Sequence, residues 1–160
     1  MKAIEQLKQL HLNYNSLKYP SVPDYARFKP KYTDKTANGL TKCIKDFIEF
    51  KGGQAERINN TGRQIDNRTS VTDVMGNVRT IGSVMWIKGT GKNGTADISA
   101  TIQGRSVKIE VKIGRDKQSQ TQKEYQQQVE KSGGLYFIAK DFESFLQWYN
   151  LKFNNDGAVK

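Results

Sequence analysis

Asp97, Glu110 and Lys112 are the residues of this chain best spaced to do chemistry together. They lie in two segments, Thr95-Ala-Asp-Ile-Ser-Ala-Thr-Ile102 and Arg105-Ser-Val-Lys-Ile-Glu-Val-Lys-Ile113, that alternate apolar and polar residues. That period of two is the mark of a half-buried strand. With Gln103-Gly104 as a two-residue turn, Ile98 opposes Ile109 and Ala100 opposes Val107, so the apolar faces of the two strands agree. The same register sets Asp97 directly against Glu110, with Lys112 two residues further along the same face. A slip of one residue would set apolar side chains against polar ones, so the register is well constrained.

Two carboxylates facing each other across a hairpin repel unless a cation lies between them. Hard carboxylate oxygens suit Mg2+ or Mn2+, which take oxygen ligands and keep positions open for water. On this reading Asp97 and Glu110 hold the ion, helped by the Val111 carbonyl. The bound ion would acidify a water and offset charge on a phosphodiester. Lys112 would orient the attacking water, help to deprotonate it, or offset developing charge. The competing reading is a solvated sheet face on which Lys112 simply pairs with Glu110.

The elements that must position these residues follow an α/β order. Residues 2 to about 18 carry Ile4, Leu7 and Leu10 at helical spacing. A linker with Pro20, Pro23 and Pro30 follows and is expected to lie on the surface as an arm. Thr36 to Lys51 reads as a helix with Leu40, Cys43, Ile44 and Phe47 on one stripe, stopped by Gly52-Gly53. A strand is expected at Gln54–Asn59. A polar stretch over 60–92 alternates around Val71–Val74 and Val78–Ile87, with Met75-Gly-Asn77 as a hairpin turn. After the carboxylate hairpin, Ser119–Ser132 reads as a glutamine-rich helix ended by Gly133-Gly134. Leu135–Ala139 reads as a buried strand, and Asp141 to about Lys152 as a helix with Phe142, Phe145, Leu146 and Tyr149 on one face.

Composition narrows the partners. The 160 residues carry a formal net charge of +10, which points to a polyanion, with nucleic acid ahead of an anionic membrane surface. The one cysteine, Cys43, cannot form an internal disulfide and falls on the apolar stripe; the one histidine, His11, makes no zinc motif. No leader pattern opens the chain and no apolar run reaches membrane-spanning length, so a cytoplasmic protein with no membrane partner is expected. The Asn-x-Thr triplets at 59, 67 and 93 therefore carry no weight as glycosylation sites. Gly89-Thr-Gly-Lys-Asn-Gly94 spells a dinucleotide-binding fingerprint, but a strand rather than a helix follows it, and a phosphate needs the helix N-terminus.

The whole order resembles the PD-(D/E)XK nuclease superfamily, and within it the VRR-NUC group and the archaeal-type Holliday junction resolvases. The likeness runs from about Ala37 to Tyr149. It takes in the helix before Gly52-Gly53, Ala55-Glu-Arg-Ile-Asn59 as the strand bearing a family arginine, Gly94-Thr-Ala-Asp97 and Ile109-Glu-Val-Lys112. It continues through Ser119-x-x-Gln122 opening a helix, Gly133-Gly134, and the strand Leu135-Tyr-Phe-Ile138. The resemblance implies a restriction-endonuclease-like αβββαβ core with a mixed central sheet, an N-terminal helical arm and an inserted β-hairpin or flap. The corresponding divisions are residues 1–35 for the helix and arm, 36–153 for one nuclease domain with an insertion at about 60–92, and 154–160 for a tail. By resemblance Asp97 and Glu110 become metal ligands, Lys112 the catalytic lysine and Gln122 a supporting active-site residue. Gln122 has a second reading, since Ser119-x-x-Gln122 is also a helix capping box.

The chain departs from the family at two places. Ala96 stands where a proline usually precedes the aspartate. Many relatives carry a glutamate early in the first helix, where this chain has Ala37-Asn38, and Asn38 is a neutral, weaker ligand. Glu49 lies about three turns later, too far to substitute. Arg57, Arg63, Lys88, Lys92, Arg115 and Lys117, with Arg68 and Arg79, are candidates for the DNA backbone, and the 60–92 insertion for a basic flap over it. The expectation is a Mg2+- or Mn2+-dependent endonuclease on branched or structured DNA, working as a homodimer in a phage or mobile-element setting. The alternatives are a flap or restriction-like nuclease and a nuclease-fold module that binds DNA without cutting it.

Overall fold

A computed structural model of the chain describes residues 2–59, 62–87, 89 and 92–154. The chain divides into two compact units, one built from 1–58 with 94–160 and the other from 59–93. The first is a mixed α/β unit. Its elements are α1 (Ala3–Lys18), α2 (Ala37–Phe50) and β1 (Gln54–Arg57), and then, after the second unit, β6 (Ile98–Ile102), β7 (Arg105–Val111), α3 (Gln120–Lys131), β8 (Leu135–Ala139) and α4 (Phe142–Tyr149). Its sheet runs β1-β6-β7-β8, antiparallel across the first two junctions and parallel between β7 and β8. A parallel neighbour requires a crossover, and α3 supplies it.

The β6–β7 register is the one alternation dictates: Ile98 pairs with Ile109, Ala100 with Val107 and Ile102 with Arg105. Gln103 and Gly104 both have positive φ, 48° and 76°, the backbone of a two-residue turn whose twist matches that of its strands. The regular strands are shorter than the alternating segments at their outer ends. The core lies on one sheet face, where Ile98, Ala100, Val107, Ile109 and Ala139 pack against α2 and α4. Helix α2 begins at Thr36, whose hydroxyl accepts the Gly39 N–H at 3.1 Å, and it buries Leu40, Cys43, Ile44, Phe47 and Ile48. Burial pushes the Cys43 thiol up to about 12, consistent with a core residue rather than a nucleophile. Helix α4 starts at Asp141, which accepts the Ser144 N–H at 2.7 Å. Beyond Tyr149 the expected α-helix widens into a π turn over Asn150–Asn154 that buries Phe153.

The N-terminal helix belongs to this core, because Leu7 of α1 is fully buried among residues of α2 and α4. The proline linker is anchored as well. Tyr32 donates its hydroxyl to Asp46 Oδ2 at 2.9 Å and sits 2.6 Å from His11 Nδ1, tying the linker to both helices. Among the described residues no helix is long and apolar enough to cross a membrane.

The second unit is one hairpin broken into two ribbons. Strands β2 (Arg63–Asp66) and β5 (Val84–Ile87) pair antiparallel, and β3 (Thr69–Thr72) pairs with β4 (Val78–Ile81). Asp73 closes the tip by accepting the Met75 and Asn77 N–H groups, each at 2.9 Å, which places the turn where Met75-Gly-Asn77 was expected. Strand β2 was not anticipated, since Arg-Gln-Ile-Asp holds one apolar residue and so shows no period.

Candidate active site

Asp97 sits one residue before β6 and is fixed from both sides. Its carbonyl accepts the Ile58 N–H at 2.8 Å, extending the β1–β6 ladder, and its Oδ2 accepts the Val111 N–H at 2.8 Å. The second bond draws the carboxylate across to β7. Gly94, with φ of 77°, makes the approach possible: a Cβ there would stand 2.4 Å from the Thr121 carbonyl oxygen, so only glycine lets the loop pass this close to the start of α3.

Glu110 is 2% exposed, and its neighbours treat its two oxygens differently. Oε1 receives Gln122 Nε2 at 2.5 Å and Lys112 Nζ at 3.1 Å. Oε2 is buried with no hydrogen-bond partner. Lys112 continues β7 by donating its backbone N–H to Ala139 O at 2.9 Å, and its ammonium also meets Asp116 Oδ2 at 3.3 Å. Burial raises the Glu110 pKa above the ordinary carboxylate range, and the charge of Asp97 raises it further; Lys112 opposes both but does not win. Burial also works against the Lys112 charge, but its bonds to Glu110 and Asp116 outweigh that, so Lys112 stays an ammonium with a raised pKa.

Gln122 closes the helix cap and meets Glu110 with one amide. Its Oε1 accepts the Ser119 N–H at 2.9 Å while Ser119 Oγ accepts the Gln122 N–H at 3.3 Å, closing the capping box. Because the cap consumes the amide oxygen, the NH2 group is left to face Glu110. The cap therefore orients the side chain that touches the carboxylate.

The donor set fits a hard divalent cation. A buried carboxylate with an unpartnered oxygen, beside a second carboxylate and short of positive charge, is what such an ion satisfies. The set is lean: among the described residues no group of three or more His, Cys, Asp or Glu side chains is gathered, so main-chain oxygen and water must complete the shell. Val111 meets Asp97 through its N–H, which places its peptide beside the pair.

Other expected residues are dispersed. Arg57 Nη2 donates to Asn38 Oδ1 at 2.8 Å, so two residues that the sequence presents separately are bonded to each other. Arg57 pairs with Ile98, so by strand alternation it emerges on the core face, while Glu110 points to the other. Arg115 and Lys117 are exposed in the loop between Lys112 and α3. In the second unit Arg63 and Lys92 are exposed and Arg68 is held by Asp66 at 2.7 Å, whereas Lys88 lies outside the described residues. Two residues at the site were not anticipated. Asp116 binds Lys112, and Tyr136 pairs with Lys108 on the face that bears Glu110. The Tyr136 hydroxyl is buried, and burial first and Glu110 second raise its pKa. Finding Tyr136 from sequence would need the parallel β7–β8 register, which no local pattern gives.

No protein-family model matches the chain, and no curated protein matches it in sequence.

Proposed function

We propose that the chain is a divalent-metal-dependent nuclease that hydrolyses phosphodiester bonds at Asp97, Glu110 and Lys112. Within that class we assign it to the PD-(D/E)XK superfamily, as an endonuclease on branched or structured DNA similar to the VRR-NUC and Holliday junction resolvase group. One observation carries the reading: Glu110 is buried with an unpartnered oxygen beside Asp97, and its other oxygen is held by both Lys112 and Gln122. A solvated ion pair would leave Glu110 exposed and satisfied. The order of helix, three antiparallel strands, helix and parallel strand in α2-β1-β6-β7-α3-β8 further supports the restriction-endonuclease-like αβββαβ core.

Asp97, Glu110 and the Val111 carbonyl would hold Mg2+ or Mn2+, which when bound supplies an acidified water and neutralises charge on the phosphodiester. Lys112, fixed as an ammonium, offsets the negative charge that builds on the phosphoryl oxygens. Gln122 keeps the Glu110 carboxylate turned by holding Oε1. The exposed Arg115 and Lys117, in the loop leaving the site, contact the backbone without reading sequence, as do Arg63, Lys88 and Lys92.

A second reading, a nuclease-fold module that binds DNA without cutting, is favoured by one observation. Asn38, where a third acid would stand, is neutral and bonded to Arg57. Incubating the protein with a labelled four-way junction and with linear duplex, under Mg2+, Mn2+ or chelator, separates the readings. The nuclease reading expects metal-dependent cleavage, stronger on the junction, that Asp97→Ala and Glu110→Ala remove. Binding with no cleavage in either metal would replace it with the second reading, and cleavage that survives both substitutions would overturn the assigned site.

A further inference from the structure

Lys108 stands two residues before Glu110, on the same face of β7, and its ammonium is not paired with an acid. It is half-buried, it donates from Nζ to Ser99 Oγ at 2.5 Å, and among the described residues no carboxylate pairs with it. The acids of this sheet face are engaged elsewhere. Glu56, next to Ser99 in the same cross-strand row, takes the Gln54 amide at 2.7 Å. Asp97 accepts the Val111 N–H, and Glu110 Oε1 is held by Gln122 and Lys112. Taking a charge out of water is costly unless an opposite charge meets it, so this ammonium is short of an anion.

The space beside Lys108 can receive one. A cavity of about 250 Å³ lies between β7 and the C-terminal half of α3, lined by Ser106, Lys108, Gln128, Val129, Ser132 and Gly134. Lys108 is the one charged residue of that lining, and two hydroxyls and an amide add neutral hydrogen-bonding groups. One cation among neutral polar groups, with no acid, suits a phosphate and not a metal ion. The position along the strand agrees. Alternate residues of a strand are about 6.7 Å apart, so Lys108 lies about that far from Glu110. That is close to the step from one phosphate to the next along a nucleic-acid strand.

We propose that Lys108 binds the phosphate next to the scissile one, so that the cleaved strand runs lengthwise along β7. The scissile phosphate then lies at Glu110 and Lys112, and its neighbour lies at Lys108 and the mouth of the cavity. This assignment rests on the nuclease reading of Glu110. Ser99 is a positioning residue, since its hydroxyl holds the ammonium on the sheet face. The contact fixes the strand's register over the carboxylates and reads no sequence. It also gives the path two ends, because Arg115 and Lys117 lie beyond Lys112 at the other end of the same polar row.

Fluorescence anisotropy of a labelled four-way junction, in chelator and at several salt concentrations, reads the contact directly. Lys108→Met keeps the apolar stem and Lys108→Gln a polar end, and both remove the charge. Each is expected to weaken binding about fivefold to tenfold at about 0.1 M salt, and to lower the slope of log affinity against log salt by about one. Lys108→Arg is expected to keep the wild-type slope. Lys45→Met removes the same charge from α2, on the far side of the sheet, and is expected to leave the slope alone. An unchanged slope in both Lys108 variants overturns the proposal, as does an equal loss in Lys45→Met or a wild type that does not bind the junction. A wild type that shows the Lys108 effect but never cuts in Mg2+ or Mn2+ keeps the phosphate contact and removes the nuclease reading.

Discussion

The molecule contains two hairpins, and they answer to different rules. In β6–β7 Ile98, Ala100, Ile102, Val107, Ile109 and Val111 are buried, so Ile98 meets Ile109 and Glu110 is turned to the opposite face. In β2–β5 and β3–β4 nearly every residue is exposed, apolar ones included. Burial of one face lets the first hairpin place a carboxylate where it has no comfortable partner, because the core holds the strand against the cost. The second hairpin has no core to hold it, and its apolar side chains stay exposed.

Substitutions break or sharpen that contrast in graded fashion. The largest effect is expected at the carboxylates, where Asp97→Ala or Glu110→Ala lowers the cleavage rate at least about 10³-fold, roughly 4 kcal/mol of barrier, measured by single-turnover kinetics. Next comes the support beneath them: Ile109→Ala, in the buried row of β7, should cost about 2–5 kcal/mol by urea unfolding. Ser119→Ala removes the cap that orients Gln122 and should cost about 1 kcal/mol of stability. It should also slow cleavage, whereas the cap change Thr36→Ala, with a similar stability cost, should leave the rate alone. Trp86→Ala, in the exposed hairpin, should shift the unfolding of the monomeric protein by no more than about 0.5 kcal/mol. A large loss there would mean the second hairpin has an inner face after all.

Glu110 adds a prediction whose sign is opposite to that of most active-site changes. Its folded pKa is raised, so the folded state binds that proton more tightly than the unfolded chain. The resulting stability is present below the unfolded carboxylate pKa and is lost as pH rises through the raised folded value. The ionised carboxylate therefore leaves the metal-free protein less stable than the protonated one does. Glu110→Gln, which keeps an oxygen for Gln122, should raise the thermal midpoint in chelator while abolishing cleavage.

What the sequence made legible was local. Alternation gave the Ile98–Ile109 register, the turn at Gln103-Gly104 needs only two residues, and the caps at Thr36, Ser119 and Asp141 act within one helical turn. The meeting of Asp97 with β7 is legible for the same reason, since the two residues are joined by a short hairpin. What escaped depends on contacts across long stretches of chain. Leu7 reaches the core because α1 folds back on α2 and α4, and sparse apolar residues do not announce that. Tyr136 reaches the Glu110 face only through a parallel register set across the α3 crossover, and the Arg57–Asn38 bond joins a strand to a helix, two elements whose packing no local pattern gives.

The central claim is that Asp97 and Glu110 form a cation site and not a solvated ion pair. Thermal unfolding with increasing Mn2+ tests it without recourse to any DNA. The account predicts a saturable rise in the wild-type midpoint, following the logarithm of metal over its dissociation constant. That rise should fade as the pH falls and Glu110 takes its proton, and it should be absent in Asp97→Asn. An equal rise in wild type and Asp97→Asn, or none in either, would contradict the account.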